Sequence, residues 1–267
     1  MLWDAHNHLQ HPHLTLHLPA LLQELPRLGV AGGVVNGTHP RDWESVRSLC
    51  QAHPQWIPAY GVHPWEVDDL PADWFSRLQQ ILNSDPAATV GEIGLDLWRT
   101  TSNFSTQLEV FTQQWNWAAA QARPVTVHCL RAWQPLRQFI QTAPSLPAGF
   151  LLHAYGGPAS DIDFYAQHGA YFSFSPSFLH RPRKMETFRH IPRERLLLET
   201  DAPSMPPPKE LAPYSLPPAP DGTTLHDPRN LPTTAQHLAH FLNIPPETLF
   251  QQTTTNFQTL FNAPLKP

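Results

Sequence analysis

Leu2-Trp3-Asp4-Ala5-His6-Asn7-His8 decides how the rest of the chain is read. Its apolar lead is that of a short strand, and strand side chains alternate faces, so His6 and His8 project the same way from its C-terminal end. Two imidazoles on one face can share a metal ion. Histidine-x-histidine alone is a weak signal, because solvated histidines near a terminus look the same. The weight falls on whether later strands end in further ligands.

Working outward, seven more short β-rich runs follow, bounded by Gly or Pro. They are Gly32-Gly33-Val34-Val35-Asn36, Trp56-Ile57-Pro58-Ala59-Tyr60, Ala88-Thr89-Val90, Pro124-Val125-Thr126-Val127, Phe150-Leu151-Leu152, Ala170-Tyr171-Phe172-Ser173 and Arg195-Leu196-Leu197-Leu198. Longer helical patterns lie between them, clearest from Ser105 to Ala122, and the continuous apolar character of several strands suits a parallel sheet buried on both faces. The pattern predicts an α/β fold, a single (β/α)8 TIM barrel in one domain spanning residues 1–267. The Pro-rich stretch from Pro203 to Pro220 reads as a long loop after the eighth strand, with helices over Leu231 to Leu242 and Pro246 to Phe261 closing the barrel.

Polar residues then stand directly after apolar strands: His6 and His8, Glu92, His128, His153 and Asp201. From His8 to Glu92 is 84 positions, His128 follows by 36, His153 by 25 and Asp201 by 48. Counting strands along the chain assigns these residues to strands 1, 4, 5, 6 and 8, at the C-terminal rim where barrel active sites sit. Neutral imidazoles and carboxylates suit zinc, manganese and related divalent ions, and a carboxylate can bridge two ions with one oxygen on each. Glu92 is the natural bridge, with His6, His8 and Asp201 completing one site and His128 with His153 the other. None of the three lysines, Lys184, Lys209 and Lys266, follows an inner strand, which argues against a carbamylated-lysine bridge.

Composition narrows the partners. The formal net charge is −5, so no basic stripe advertises tight, metal-free binding to long nucleic acid, and a phosphate substrate needs bound cations to receive it. No apolar run reaches membrane-spanning length and no leader-like segment opens the chain, so a cytoplasmic protein without membrane contact is expected. Cys50 and Cys129 are too few for a disulfide framework and read as reduced thiols. Most of the sixteen histidines, among them His11, His13, His17, His168, His180, His190, His237 and His240, read as surface residues with no special role.

Six segments, in order, resemble the TatD-like metal-dependent deoxyribonuclease family of the amidohydrolase superfamily. They are Asp4-Ala5-His6-Asn7-His8, Tyr60-Gly61-Val62-His63-Pro64, Val90-Gly91-Glu92-Ile93-Gly94-Leu95-Asp96, Pro124-Val125-Thr126-Val127-His128, Leu152-His153-Ala154-Tyr155-Gly156-Gly157 and Leu197-Leu198-Glu199-Thr200-Asp201-Ala202-Pro203. The late Asn256 followed by Leu260-Phe261 resembles the family's C-terminal pattern. The resemblance implies a (β/α)8 barrel with one or two divalent ions (Zn, Mn or Mg) and nuclease or phosphodiesterase activity. It makes His6, His8, Glu92, His128, His153 and Asp201 the metal ligands, Asp201 and Glu92 the catalytic carboxylates, and His63 a contact to substrate phosphate. Where the family commonly has Ser-Arg after the strand-5 histidine, this chain has Cys129-Leu130 before Arg131, so Arg131 is the candidate for the phosphate-contacting arginine from one position further on. Ala154-Tyr155-Gly156-Gly157 replaces the more usual Cys-Phe-Ser-Gly type of run, removing a hydroxyl near the site.

The expected reaction is hydrolysis of a phosphate ester in DNA or a small phosphodiester by metal-activated water, with Asp201 accepting the proton and no obligate protein partner. Two other readings use the same barrel: amide or ester hydrolysis, such as that of a D-aminoacyl-tRNA, and a non-catalytic scaffold. Cationic and N–H donors beside the ligands favour phosphate, whereas an apolar pocket favours an acyl substrate. Glu199, Asp96 and Asp4 read as carboxylates supporting ligands or turns. Trp65, Trp98 and Tyr155 lie just beyond strand ends, where they either stack on a base or pack in the rim.

Overall fold

Eight apolar runs form eight strands: β1 (Leu2–Asn7), β2 (Val30–Asn36), β3 (Trp56–Tyr60), β4 (Thr89–Asp96), β5 (Val125–Leu130), β6 (Phe150–Leu152), β7 (Ala170–Phe174) and β8 (Leu196–Leu198). The computed structural model describes residues 1–99 and 103–261. Every strand pairs in parallel with its neighbour in the chain, giving one eight-stranded sheet in the order β1 to β8. Helices α1 (Leu18–Glu24), α2 (Trp43–Ala52), α3 (Trp74–Ser84), α4 (Phe104–Ala120), α5 (Trp133–Thr142), α6 (Ile162–Gln167) and α7 (Pro182–Thr187) follow the first seven strands, and α8 (Leu231–Phe241) and α9 (Pro246–Phe261) follow the last. The architecture is a (β/α)8 barrel, and every residue of β4 is buried, as a strand covered on both faces requires.

Two strands run further than their apolar cores suggest. Glu92 lies inside β4 and His128 inside β5, because the pairing continues from Ile93 opposite Val127 to Asp96 opposite Leu130. Gly94 permits this: a Cβ there would stand 2.0 Å from the carbonyl oxygen of His128. Backbone pairing therefore fixes the His128 side chain relative to Glu92.

The barrel closes between β8 and β1 partly through a side chain. Asp4 accepts from the Thr200 backbone N–H at 2.9 Å and from its hydroxyl at 2.6 Å. Backbone bonds from Asp201 to the His6 carbonyl (2.9 Å) and from His8 to the Ala202 carbonyl (2.8 Å) continue the seam. Outside it, α9 stacks Phe257 on Trp3 at 4.8 Å and directs the Asn256 amide at the carbonyls of Arg193 and Leu196, each at 2.7 Å.

Between β8 and α8 the chain forms a long loop with two short 3-10 turns, Lys209–Leu211 within the Pro-rich stretch and Pro228–Asn230 beyond it. Neither Lys184, on α7, nor Lys209 lies on a strand, and Lys266 is outside the described residues.

Asn256→Ala strips a donor from two carbonyls at the foot of β8, one of them buried. The expected cost is about 2 kcal/mol of unfolding free energy, read from the urea midpoint. A midpoint equal to wild type would remove Asn256 from the closure.

Candidate metal centre

Strand alternation on β1 and β4 turns His6 and Glu92 to meet inside the barrel, although β2 and β3 lie between the two strands. Glu92 Oε2 lies 3.4 Å from His6 Nε2 and 3.2 Å from His8 Nε2. Asp201, delivered by the β8–β1 seam, places Oδ1 3.4 Å from His6 Nε2 and 3.5 Å from His8 Nε2. The other carboxylate oxygen, Glu92 Oε1, meets a different set: His153 Nε2 at 2.8 Å, His128 Nδ1 at 3.1 Å and His63 Nε2 at 3.5 Å.

These spacings fit shared cations. Donors about 2.1 Å from one ion at tetrahedral angles lie about 3.4 Å apart. The donor atoms of His6, His8, Asp201 and Glu92 Oε2 meet that spacing, with the two Nε2 atoms of His6 and His8 at 3.2 Å. On the opposite oxygen, His128 Nδ1 and His153 Nε2 are 3.2 Å apart. Two imidazole nitrogens facing one another at such a distance need either a proton or a cation between them.

Hydrogen bonds on the far side of each ring select the nitrogen that points inward. His8 Nδ1 donates to the Asn36 carbonyl at 2.7 Å and His128 Nε2 donates to Asp96 Oδ2 at 2.9 Å, which leaves His8 Nε2 and His128 Nδ1 with their lone pairs inward. His153 turns Nδ1 toward Glu199 Oε1 at 3.7 Å, and Ser173 Oγ donates to the other Glu199 oxygen. His63 has the reverse arrangement. Its Nδ1 accepts the Trp65 backbone N–H at 3.1 Å, and burial drives the ring's pKa down to about 3. The neutral ring then carries its proton on Nε2, making it a donor toward the cavity and a poor ligand there.

Electrostatics follow from burying this many ionisable groups together. Burial pushes Glu92 toward its neutral form, but His153 first, with His6 and the hydrogen bond from His128, outweighs it and holds the carboxyl well below the usual range. Asp201 is depressed in the same way by His6 and His8 against its own burial. Conversely, burial lowers His8, yet hydrogen bonds to Asp201 and Glu92 raise it to about 10. Asp96 is held at about 2 despite its burial by His128 and the backbone N–H groups of Trp98 and Arg99.

All six expected ligands and His63 thus gather in one cluster around Glu92. Arg131 does not: it lies exposed just after β5 and makes no hydrogen bond or ion pair with another described residue. Tyr155 is fully buried, its hydroxyl on the Pro158 carbonyl at 2.7 Å, and belongs to the core. Cys50 and Cys129 are buried free thiols.

Sequence reading missed three supports. Gln114 and Gln107, seven residues apart on one face of α4, bind the backbones of Val62 and Asp96 with Oε1 at 2.7 and 2.8 Å. His226, buried in the long loop, accepts no surface role: its Nδ1 meets the Ser204 carbonyl at 3.1 Å, beside Asp201. The i, i+7 spacing of the glutamines was the only advance signal, and His226 had none.

A parallel barrel that gathers imidazoles and carboxylates at these strand ends defines a metal-dependent hydrolase. The chain belongs to the TatD related DNase family, whose model matches residues 3–262. It is 30% identical over 249 residues to the 3'-5' ssDNA/RNA exonuclease TatD of Edwardsiella piscicida, covering 91% of this chain and 93% of that protein. The crystal structure of YJJV, a TatD homologue from Escherichia coli K12, superposes with a TM-score of 0.88 at 26% identity over 98% of both chains. Dihydroorotase from Campylobacter jejuni shares the fold alone, with a TM-score of 0.63 at 13% identity over 100% of this chain and 84% of that one. Among the described residues no helix is long and apolar enough to cross a membrane.

Glu92→Ala removes the one group that both donor sets share. Metal content of protein purified without chelator should fall at least tenfold, while thermal unfolding followed by circular dichroism stays cooperative. Full metal retention would show that Glu92 holds no ion.

Proposed function

We propose that this chain hydrolyses phosphodiester bonds in single-stranded DNA or RNA or in a small nucleotide-like phosphodiester. In this reading His6, His8, Asp201 and Glu92 would hold one divalent ion, and Glu92, His128 and His153 would hold a second, of zinc, manganese or magnesium. The observation that carries it is the division of the two Glu92 oxygens between separate imidazole sets. Bound there, divalent ions supply Lewis acidity, lowering the pKa of water toward neutrality and offsetting phosphoryl charge.

The protein's own groups supply position and proton traffic. Asp201 stays ionised because the hydrogen bonds from His6 and His8 outweigh its burial, and in this reading it is the carboxylate that would take the proton from water. His63, neutral and protonated on Nε2, donates toward a phosphoryl oxygen without adding charge to a crowded site. Glu199 acts on His153 from behind, since Ser173 fixes one of its oxygens and the other faces the ring. An N–H donor of this kind suits a phosphoryl oxygen. The relatives named TatD exonucleases support the nucleic-acid substrate.

Asp201→Asn keeps the shape and one oxygen donor but takes up no proton. Its kcat on a single-stranded oligonucleotide should fall by roughly 10² or more, whereas Glu199→Gln should lose less. Measured at saturating manganese, the reverse ranking would exchange the two roles.

Ion uptake should also release protons. Without metal, the Asp201 and Glu92 carboxylates keep His8 protonated to about 10, above the ordinary 6.5, so between those values an ion must displace that proton. Affinity should therefore rise with pH through this window. Titration calorimetry at pH 8 in buffers of differing ionisation enthalpy should count about one proton or more released per protein, and a count of zero would remove His8 from the ligand set.

A further inference from the structure

Six large apolar side chains are exposed among the described residues, and three of them, Leu97 (43%), Trp98 (50%) and Leu130 (37%), sit together at the ends of β4 and β5. The Leu97 N–H bonds the Leu130 carbonyl at 2.9 Å, which holds the two strand ends side by side. Single exposed apolar residues need no explanation, but a cluster on the lip of a polar cavity does.

The patch is tied to the metal centre through Trp65. The Trp65 indole N–H donates to Asp96 Oδ2 at 2.8 Å, the same oxygen that receives His128. Its ring stands edge-to-face with His63 at 4.9 Å and His128 at 5.8 Å, and on the outer side lies 6.4 Å from the Trp98 ring. The Arg99 guanidinium rests over the Trp65 ring at 3.7 Å, and no acid among the described residues pairs with it. Trp65 is thus clamped by its nitrogen and by one face, while Trp98 leaves half its surface open to solvent.

We infer that Trp98, backed by Trp65 and carrying Arg99 beside it, is a stacking subsite for a nucleobase of a single strand whose phosphodiester lies at the metal centre, with Arg99 meeting a neighbouring phosphate. This rests on the nuclease reading above and specifies how the strand is held. Every base offers a π-face, so an indole ring binds without regard to sequence, and an unpaired guanidinium contributes both charge and stacking. At a net charge of −5 the chain as a whole repels a phosphate backbone, so stacking on a ring supplies affinity that overall charge does not. A paired duplex hides the faces of its bases, so the subsite selects single strands and frayed ends.

The test compares an oligothymidylate eight nucleotides long with an abasic oligomer of equal length, on metal-loaded protein. Binding is read by stopped-flow fluorescence anisotropy before turnover, and cleavage is followed in parallel. Trp98→Ala should weaken binding of the thymidylate, and raise its KM, about tenfold with kcat within twofold. The abasic oligomer should bind wild type and Trp98→Ala alike, and Trp98→Phe should restore most of the thymidylate affinity. Equal losses on both oligomers, or no loss on either, would overturn the subsite. So would loss of self-association in sedimentation with unchanged oligomer binding, which would make the patch a subunit interface. Ring-dependent binding without cleavage by wild type would retain the subsite and remove the nuclease reading instead.

Discussion

A single carboxylate buried at the barrel mouth sets the terms for everything around it. Glu92 is almost wholly withdrawn from solvent, and an ionised carboxylate in that position costs several kcal/mol unless cations or donors surround it. The chain answers with imidazoles on both of its oxygens rather than with arginine or lysine. Imidazoles can give up their protons, so the same shell that neutralises Glu92 as a set of cations can instead present lone pairs to metal ions. A guanidinium in their place would have neutralised the carboxylate permanently and closed the site to metals.

Holding so many ionisable rings in usable tautomers needs partners behind them, and the barrel supplies these from neighbouring strands. Asn36 at the end of β2 orients His8, Asp96 at the end of β4 orients His128, and Ser173 on β7 fixes the carboxylate facing His153. Each strand therefore supports the ligand of another, and the closed ring of strands makes the centre rigid. The Asp201 backbone shows what this rigidity overcomes. It sits at φ 56, a conformation that costs a non-glycine residue about 1 kcal/mol or more. The bonds from Asp201 to His6 and from Ser204 back to the Asp201 carbonyl (2.7 Å), with His226 holding the following turn, keep it there.

Carboxylates and imidazoles crowd the centre, whereas the lip beside β4 and β5 is aromatic and apolar, with the Arg99 guanidinium over Trp65. If the substrate is the single strand proposed above, this division would leave phosphate to the centre and bases to the ring surfaces. His63 fits the same economy of charge, since it offers an N–H while remaining neutral.

Hydrophobic runs separated by Gly and Pro were enough to locate all eight strands, and ligand-type residues at their ends were enough to name the candidate donors that the fold gathers into one cluster, because strand alternation and parallel βα order are written locally. Sequence spacing also identified Glu92 as the shared carboxylate and Glu199, Asp96 and Asp4 as supporting groups. It could not settle the lengths of β4 and β5, which depend on Gly94 letting one backbone approach another, or exclude Tyr155 from the cavity, since burial against Trp133 and Phe172 is a matter of three-dimensional packing. The His63 tautomer, the service of Gln107 and Gln114 to strands before their helix, and the seat of His226 beside Asp201 were likewise decided only by folding. Each depends on which atoms distant in the chain come within hydrogen-bonding distance, and a sequence read along its length carries no measure of that.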